Sequence, residues 1–135
     1  MPTKHIQPPE LFDSARFGYT QVVTATAPTT VHVSGQTALN RDFQIVGEGD
    51  LAAQASQALA NLGHALSACG ATASDVTSLR IYVVDYRPES GAALAQPLRK
   101  FFGSAPPAAQ TLLGIQTLAM PGLLIEIEAT AAVGG

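Results

Sequence analysis

Apolar and β-branched residues mark two strand-like stretches near the N-terminal end, Tyr19 to Thr26 and Thr30 to Gln36, the second alternating, with Ala27-Pro28 as a turn signal between them. In the second stretch Val31, Val33 and Gly35 are expected on one face, and His32, Ser34 and Gln36 on the other. After Asp50 the period changes. Leu51, Ala55, Leu59, Leu62, Leu66 and Cys69 recur at steps of four and three, which is one stripe of a helix. Asp50 is placed to cap its first turn and Gly70 to end it. Val76 to Val84 alternates again, with Leu79, Ile81 and Val83 opposite Ser78, Arg80 and Tyr82. A second helix is predicted over about Glu89 to Phe102, closed by Gly103 and Pro106-Pro107. Two strands follow, Gln110 to Thr117 and Leu123 to Ala132, joined by a turn at Met120-Pro121-Gly122. The segment up to Gly18 reads as an irregular arm, and Asn40 to Asp50 as a loop holding at most a short extended piece.

The order β-β-α-β-α-β-β predicts an α+β fold of two layers, a mixed sheet with both helices on one face. No repeat or linker divides residues 1–135, so a single domain is expected. The face away from the helices would carry Ser34, Gln36, Arg80, Tyr82, Glu126 and Glu128, a semi-polar surface suited to self-association.

Composition sharpens this. Hydrophobic residues make up 47% and charged residues only 13%, so disorder is excluded and a second copy is a natural cover for exposed surface. A net charge of -3 without a Lys/Arg run disfavours nucleic acid as a partner. A single cysteine fits a reducing compartment, no stretch has the length of a membrane span, and a cytoplasmic protein is expected.

Few residues propose chemistry. Glu126 and Glu128 share a strand face about 7 Å apart, at a rise of ~3.3 Å per residue. Crowded carboxylates suit acid/base work, although from spacing alone pairing with Arg80 or with solvent is the favoured reading. His5, His32 and His64 have no ligand spacing, so no metal is expected. Cys69 falls on the apolar stripe and is read as a buried structural thiol, His64 as a solvated helix residue. Gly35 and Gly114 interrupt strands, where backbone approaches a ligand or neighbour closely, or where a bulge lies.

Six segments in order resemble the Rid (YjgF/YER057c/UK114, "endoribonuclease L-PSP"-like) family over about Gly18 to Ala132. They are Tyr19-Thr20-Gln21, Val33-Ser34-Gly35-Gln36, the helix Gln54 to Leu62, Tyr82 to Asp85, Phe101-Phe102 and Ile125 to Ala129. The resemblance implies a chorismate-mutase-like subunit, a homotrimer and a small-molecule pocket at each subunit boundary. It also implies cofactor-free hydrolysis of enamines or imines to carbonyl compounds and ammonia. A glutamate on the last strand positions water, a tyrosine and the Ser-Gly-Gln backbone assist, and an arginine clamps the substrate carboxylate. Carried over, these are Glu126, Tyr19 and Gly35.

The arginine does not carry over. Its position is Gln110, the adjoining pocket position is Leu112, and an asparagine before the Phe-Phe pair is Ala95. A guanidinium clamp contributes roughly 1.5–3 kcal/mol per charge-assisted bond, which a neutral amide does not match. Arg16 or Arg99 is a substitute cation if the fold brings it to the cleft. The sequence resembles an arginine-less branch, and three readings follow. They are a hydrolase of a neutral or larger enamine, imine or carbonyl compound, with Glu126 and Tyr19 catalytic and Gly35, Gln110 and Leu112 binding; a non-catalytic metabolite-binding or chaperone-like trimer; and, remotely, an endoribonuclease.

Overall fold

The structure, a computed structural model, describes residues 3–134; Met1, Pro2 and Gly135 lie outside it. In chain order it contains β1 (Thr3–Ile6), a 3-10 turn (Ser14–Phe17), β2 (Val22–Ala25) and β3 (Thr29–Gln36). Then come α1 (Leu51–Ser67), β4 (Val76–Val84), α2 (Pro88–Phe102), β5 (Ala109–Ile115) and β6 (Ile125–Val133).

Capping sets the limits of α1. The Asp50 carboxylate accepts from the Ala53 N–H at 3.1 Å, satisfying one free amide of the first turn. At the other end Gly70 adopts a left-handed φ of 72°. Ala71 donates back to the Leu66 carbonyl and Gly70 to that of Ser67, so a Schellman motif closes the helix. The stripe Ala55, Leu59, Leu62, Leu66 is buried as expected, with Ala58 beside it. Cys69 is not: it is exposed, because the stripe's last step falls beyond the regular turns, where the chain already leaves the core.

The four-stranded sheet has the order β3-β6-β4-β5. The last strand in sequence, β6, lies in the middle and pairs antiparallel with both β3 and β4. Only β4 and β5 are parallel neighbours, connected across α2. This is the mixed sheet of an α+β fold. One face, with Leu79, Ile81, Val83, Ile125, Ile127 and Ala129, is buried under α1 and α2. Alternation puts Arg80, Tyr82, Glu126 and Glu128 on the other face.

Two expectations are corrected. The arm is not irregular throughout. Thr3–Ile6 pairs antiparallel with Val22–Ala25 in a separate two-stranded sheet, which removes the first predicted strand from the main sheet. Its brevity and its polar Lys4 hide the alternation. In β3, Val33 pairs with Ala129 but Gln36 pairs with Ile127, so one extra residue makes a bulge. The bulge breaks the predicted alternation and turns Gly35 toward the face opposite Val31 and Val33.

One buried polar residue ties the layers together. Gln54 on α1 is fully buried; its amide nitrogen donates to the carbonyls of Gly47 and Gly122, and its oxygen accepts from the Leu124 N–H. That fixes the start of β6, and hence the height of Glu126, against α1.

Candidate functional site

Tyr19 is positioned by a small hydrogen-bonded knot. The buried Ser14 hydroxyl donates to the Tyr19 carbonyl at 2.7 Å and accepts from the Gln7 side-chain amide at 3.0 Å. Gly18, with φ 86°, reverses the chain after the 3-10 turn. Thr20 then docks onto the start of β5: its N–H donates to the Ala108 carbonyl and its hydroxyl to that of Pro107. The anchoring leaves Tyr19 beside Gln110.

In the parallel register Gln110 is level with Leu79 and Leu112 with Ile81. Both therefore lie on the helix-facing side of the edge strand. Between them, the 3-10 turn and α2 opens a cleft of about 790 Å³. Leu94, Leu98 and Phe102 of α2 form its apolar wall, and Ala95 leaves room beside them. Two charged side chains reach it, Arg16 from the 3-10 turn and Arg99 from the last turn of α2. A recess of about 300 Å³ adjoins it; Tyr19 and Gln110 line both, and Arg80 and Thr111 line the recess alone. Tyr86 also lines the cleft, and glycines make space for it. A Cβ on Gly114 would stand 2.8 Å from the Tyr86 Cβ, and one on Gly91 3.1 Å from its hydroxyl. At Gly114 the pairing with β4 runs on unbroken, so close packing and not a bulge explains that glycine.

The other half of the predicted set lies across the sheet. Glu126 is level with Tyr82 on the open face, and its side chain lies over Gly35, where any Cβ would collide with it. Glu126 and Glu128 differ in their partners. Tyr82 donates its phenolic proton to Glu128 at 2.5 Å, and this bond, then burial, pushes the phenol above its usual pKa. Glu126 receives no hydrogen bond from protein among the described residues, and Arg80 pairs with neither carboxylate. The one ion pair among those residues is Arg87 with Asp85, at 3.0 Å on the surface. The pairing of the glutamates with Arg80 is thus replaced by a phenol–carboxylate bond to one of them.

The structure brings Tyr19, Gln110 and Leu112 to one cleft, and Gly35 and Glu126 to another place on the opposite face. It does not bring the two sets together within one chain. Tyr86 escaped the sequence reading, although Gly91 and Gly114, both without a turn to explain them, were its signal. Among the described residues no group of three or more His, Cys, Asp or Glu could hold a metal ion, and no helix is long and apolar enough to cross a membrane.

Residues 13–133 match the family model described as Endoribonuclease L-PSP. The chain is similar to YyfB from Yersinia pestis, a protein of unknown function of the conserved Rid protein family, at 43% identity and a TM-score of 0.95. The match covers 98% of this chain and 100% of that one. It is 31% identical to Rv2704 of Mycobacterium tuberculosis, a member of the YjgF/YER057c/UK114 family, with a TM-score of 0.64 over 97% of this chain and 99% of the other. Protein DfrA of Myxococcus xanthus is 32% identical over 114 residues, 84% of this chain and 83% of that protein.

Proposed function

Because the chain belongs to the endoribonuclease L-PSP family, also called the Rid or YjgF family, we propose that it is a cofactor-free hydrolase of a reactive enamine, imine or related carbonyl compound. The pocket is one that neighbouring subunits of a homotrimer complete. The observation that carries this reading is Glu126, a half-buried carboxylate with no donor among the described residues, lying over the one β3 residue that has no side chain.

An ionised carboxylate of this kind accepts a proton from water as the oxygen attacks the imine carbon. The C=N bond becomes a C–N bond, the nitrogen takes the proton, and collapse of the carbinolamine expels ammonia and leaves the carbonyl compound. Water supplies the oxygen and both hydrogens, so no redox partner is required. Tyr19, Gln110 and Leu112 hold the substrate. Since these lie across the sheet from Glu126, the proposed pocket joins the cleft of one subunit to Glu126 of the partner subunit. A neutral amide at Gln110 makes a poor clamp for a carboxylate next to the reacting carbon. Typical small 2-imino acids are therefore not the preferred substrates.

The test is ammonia release from freshly generated imines, with and without an adjacent carboxylate, by wild type, Glu126→Gln and Gln110→Arg. Turnover that Glu126→Gln abolishes while assembly stays intact supports the hydrolase; normal turnover by that variant refutes the role. The replacement of the clamp by Gln110 favours a second reading, a binder without turnover, in which ligand affinity ignores Glu126. RNA cleavage is not proposed, given a net charge of -3 and no basic run.

A further inference from the structure

Resting on the reading of the cleft as a substrate pocket, we infer that its ligand is an amphipathic oxyanion whose anionic head is held by Arg16 and Arg99 and whose apolar body lies along α2. Among the described residues the only charged ones lining the cleft are these two arginines, and no carboxylate lines it. That is contrary to the overall balance, in which ten acidic residues outnumber seven basic ones. The pair comes from separate elements, the 3-10 turn and the last turn of α2. Neither is within 4 Å of an acid among the described residues, and neither donates a hydrogen bond to protein there. Arg16 is held with its guanidinium 5.0 Å from the centre of the Phe17 ring, a stacking that orients the fork and keeps its charge.

An oxyanion between two guanidiniums gains charge-assisted, bidentate bonds. Leu94, Leu98, Phe102 and Leu112 supply the apolar surface. The cleft volume of about 790 Å³ lies in the range of sites for large organic ligands, about 300–1,000 Å³, well beyond a small 2-imino acid. The head is thus recognised away from position 110. The substrate class is a carbonyl or imine compound whose carboxylate or phosphate is separated from the reacting carbon by an apolar spacer.

The experiment is calorimetric titration of the whole protein with octanoate, octyl phosphate, octanamide and acetate. Octanoate or octyl phosphate is expected to bind at least about tenfold more tightly than octanamide. Each methylene buried in going from acetate toward octanoate adds about fourfold. Which of the two heads binds more tightly identifies the oxyanion. Arg16→Gln and Arg99→Gln should each weaken the anions about tenfold and leave octanamide unchanged. Added salt should act in the same direction. Arg99→Lys should recover part of the loss, which a merely structural role would not show. Equal binding of octanoate, octyl phosphate and octanamide, or anion binding indifferent to both Gln variants, overturns the inference. Charge-dependent binding without ammonia release would sink the hydrolase alone. Turnover of neutral imines without a preference for anions would sink only this inference.

Discussion

In a Gly35→Ala variant the new Cβ stands 2.6 Å from Cδ of Glu126 and 2.7 Å from Cγ, with Oε2 as its nearest contact. Non-bonded carbons settle at about 3.5–4.0 Å, so the carboxylate must retreat by about 1 Å. What yields is the end of a flexible side chain. Gly35 is not among the residues with positive φ, so the backbone does not resist alanine. An off-rotamer Glu126 costs about 0.5–1.5 kcal/mol, and replacing glycine by alanine in a strand returns roughly 0.5–1 kcal/mol. Stability should therefore change by less than about 1 kcal/mol. Catalysis is far more sensitive: a displacement of ~1 Å costs on the order of 100-fold. The assay is kcat/KM on the imine that wild type turns over best, beside urea unfolding of the same variants. Gly35→Ala should lose about two decades, Glu126→Gln at least as much, and the double variant no more than Glu126→Gln alone. If Gly35→Ala keeps activity within about threefold of wild type while Glu126→Gln is dead, the seat on Gly35 does not position the carboxylate. The reasoning then fails.

Further outcomes follow from other contacts. Gln54→Leu roughly keeps the volume but strands the Leu124 N–H and the Gly122 carbonyl, while the Gly47 carbonyl keeps the Asp50 N–H; it should cost about 2–4 kcal/mol in urea unfolding, and a loss below about 1 kcal/mol would mean the amide is not a tie. Tyr82 should titrate above about 10 by tyrosinate absorbance, and Glu128→Gln should bring it back toward that value. Since the folded pKa is raised, the stability from this bond is full below about pH 10 and lost as pH rises through the folded value; an unshifted Tyr82 titration contradicts it. Mixing subunits of inactive Glu126→Gln and Tyr19→Phe should restore activity in pockets that combine an intact cleft with an intact Glu126, and no recovery in demonstrably mixed oligomers would refute the shared pocket.

How far the sequence speaks depends on whether a signal is local. The Asp50 cap, the Gly70 stop and the alternation of Val76 to Val84 are written within one element, and they appear where the residues indicate. The six-segment resemblance identifies the family because it samples the whole chain. What stays hidden depends on pairing. The N-terminal strand has four residues and exists because Val22–Ala25 offers it an edge. The bulge that turns Gly35 toward Glu126 is a mismatch between two strands about ninety residues apart, invisible in either. Cys69 misled because a stripe predicts burial only while the helix lasts. Tyr82 took Glu128 in place of Arg80 because its phenol lies diagonally within reach, although register sets Arg80 level with that glutamate.

The same parity of strands bears on the chemistry. Gln110 faces the helices with Leu79, and Glu126 faces away with Tyr82. Moving either to the other face takes a one-residue slip of its whole strand, which would turn Leu112 of β5, or Ile125 and Ile127 of β6, away from the core. No side-chain rotation or loop closure within one chain does this. The proposed chemistry, which uses both Gln110 and Glu126, would therefore draw them from different copies, the open polar face of the second supplying its carboxylate. On the proposed reading, a glutamine at position 110 would not silence such a pocket but would move the ligand's charge to its other end, toward Arg16 and Arg99, which line the cleft.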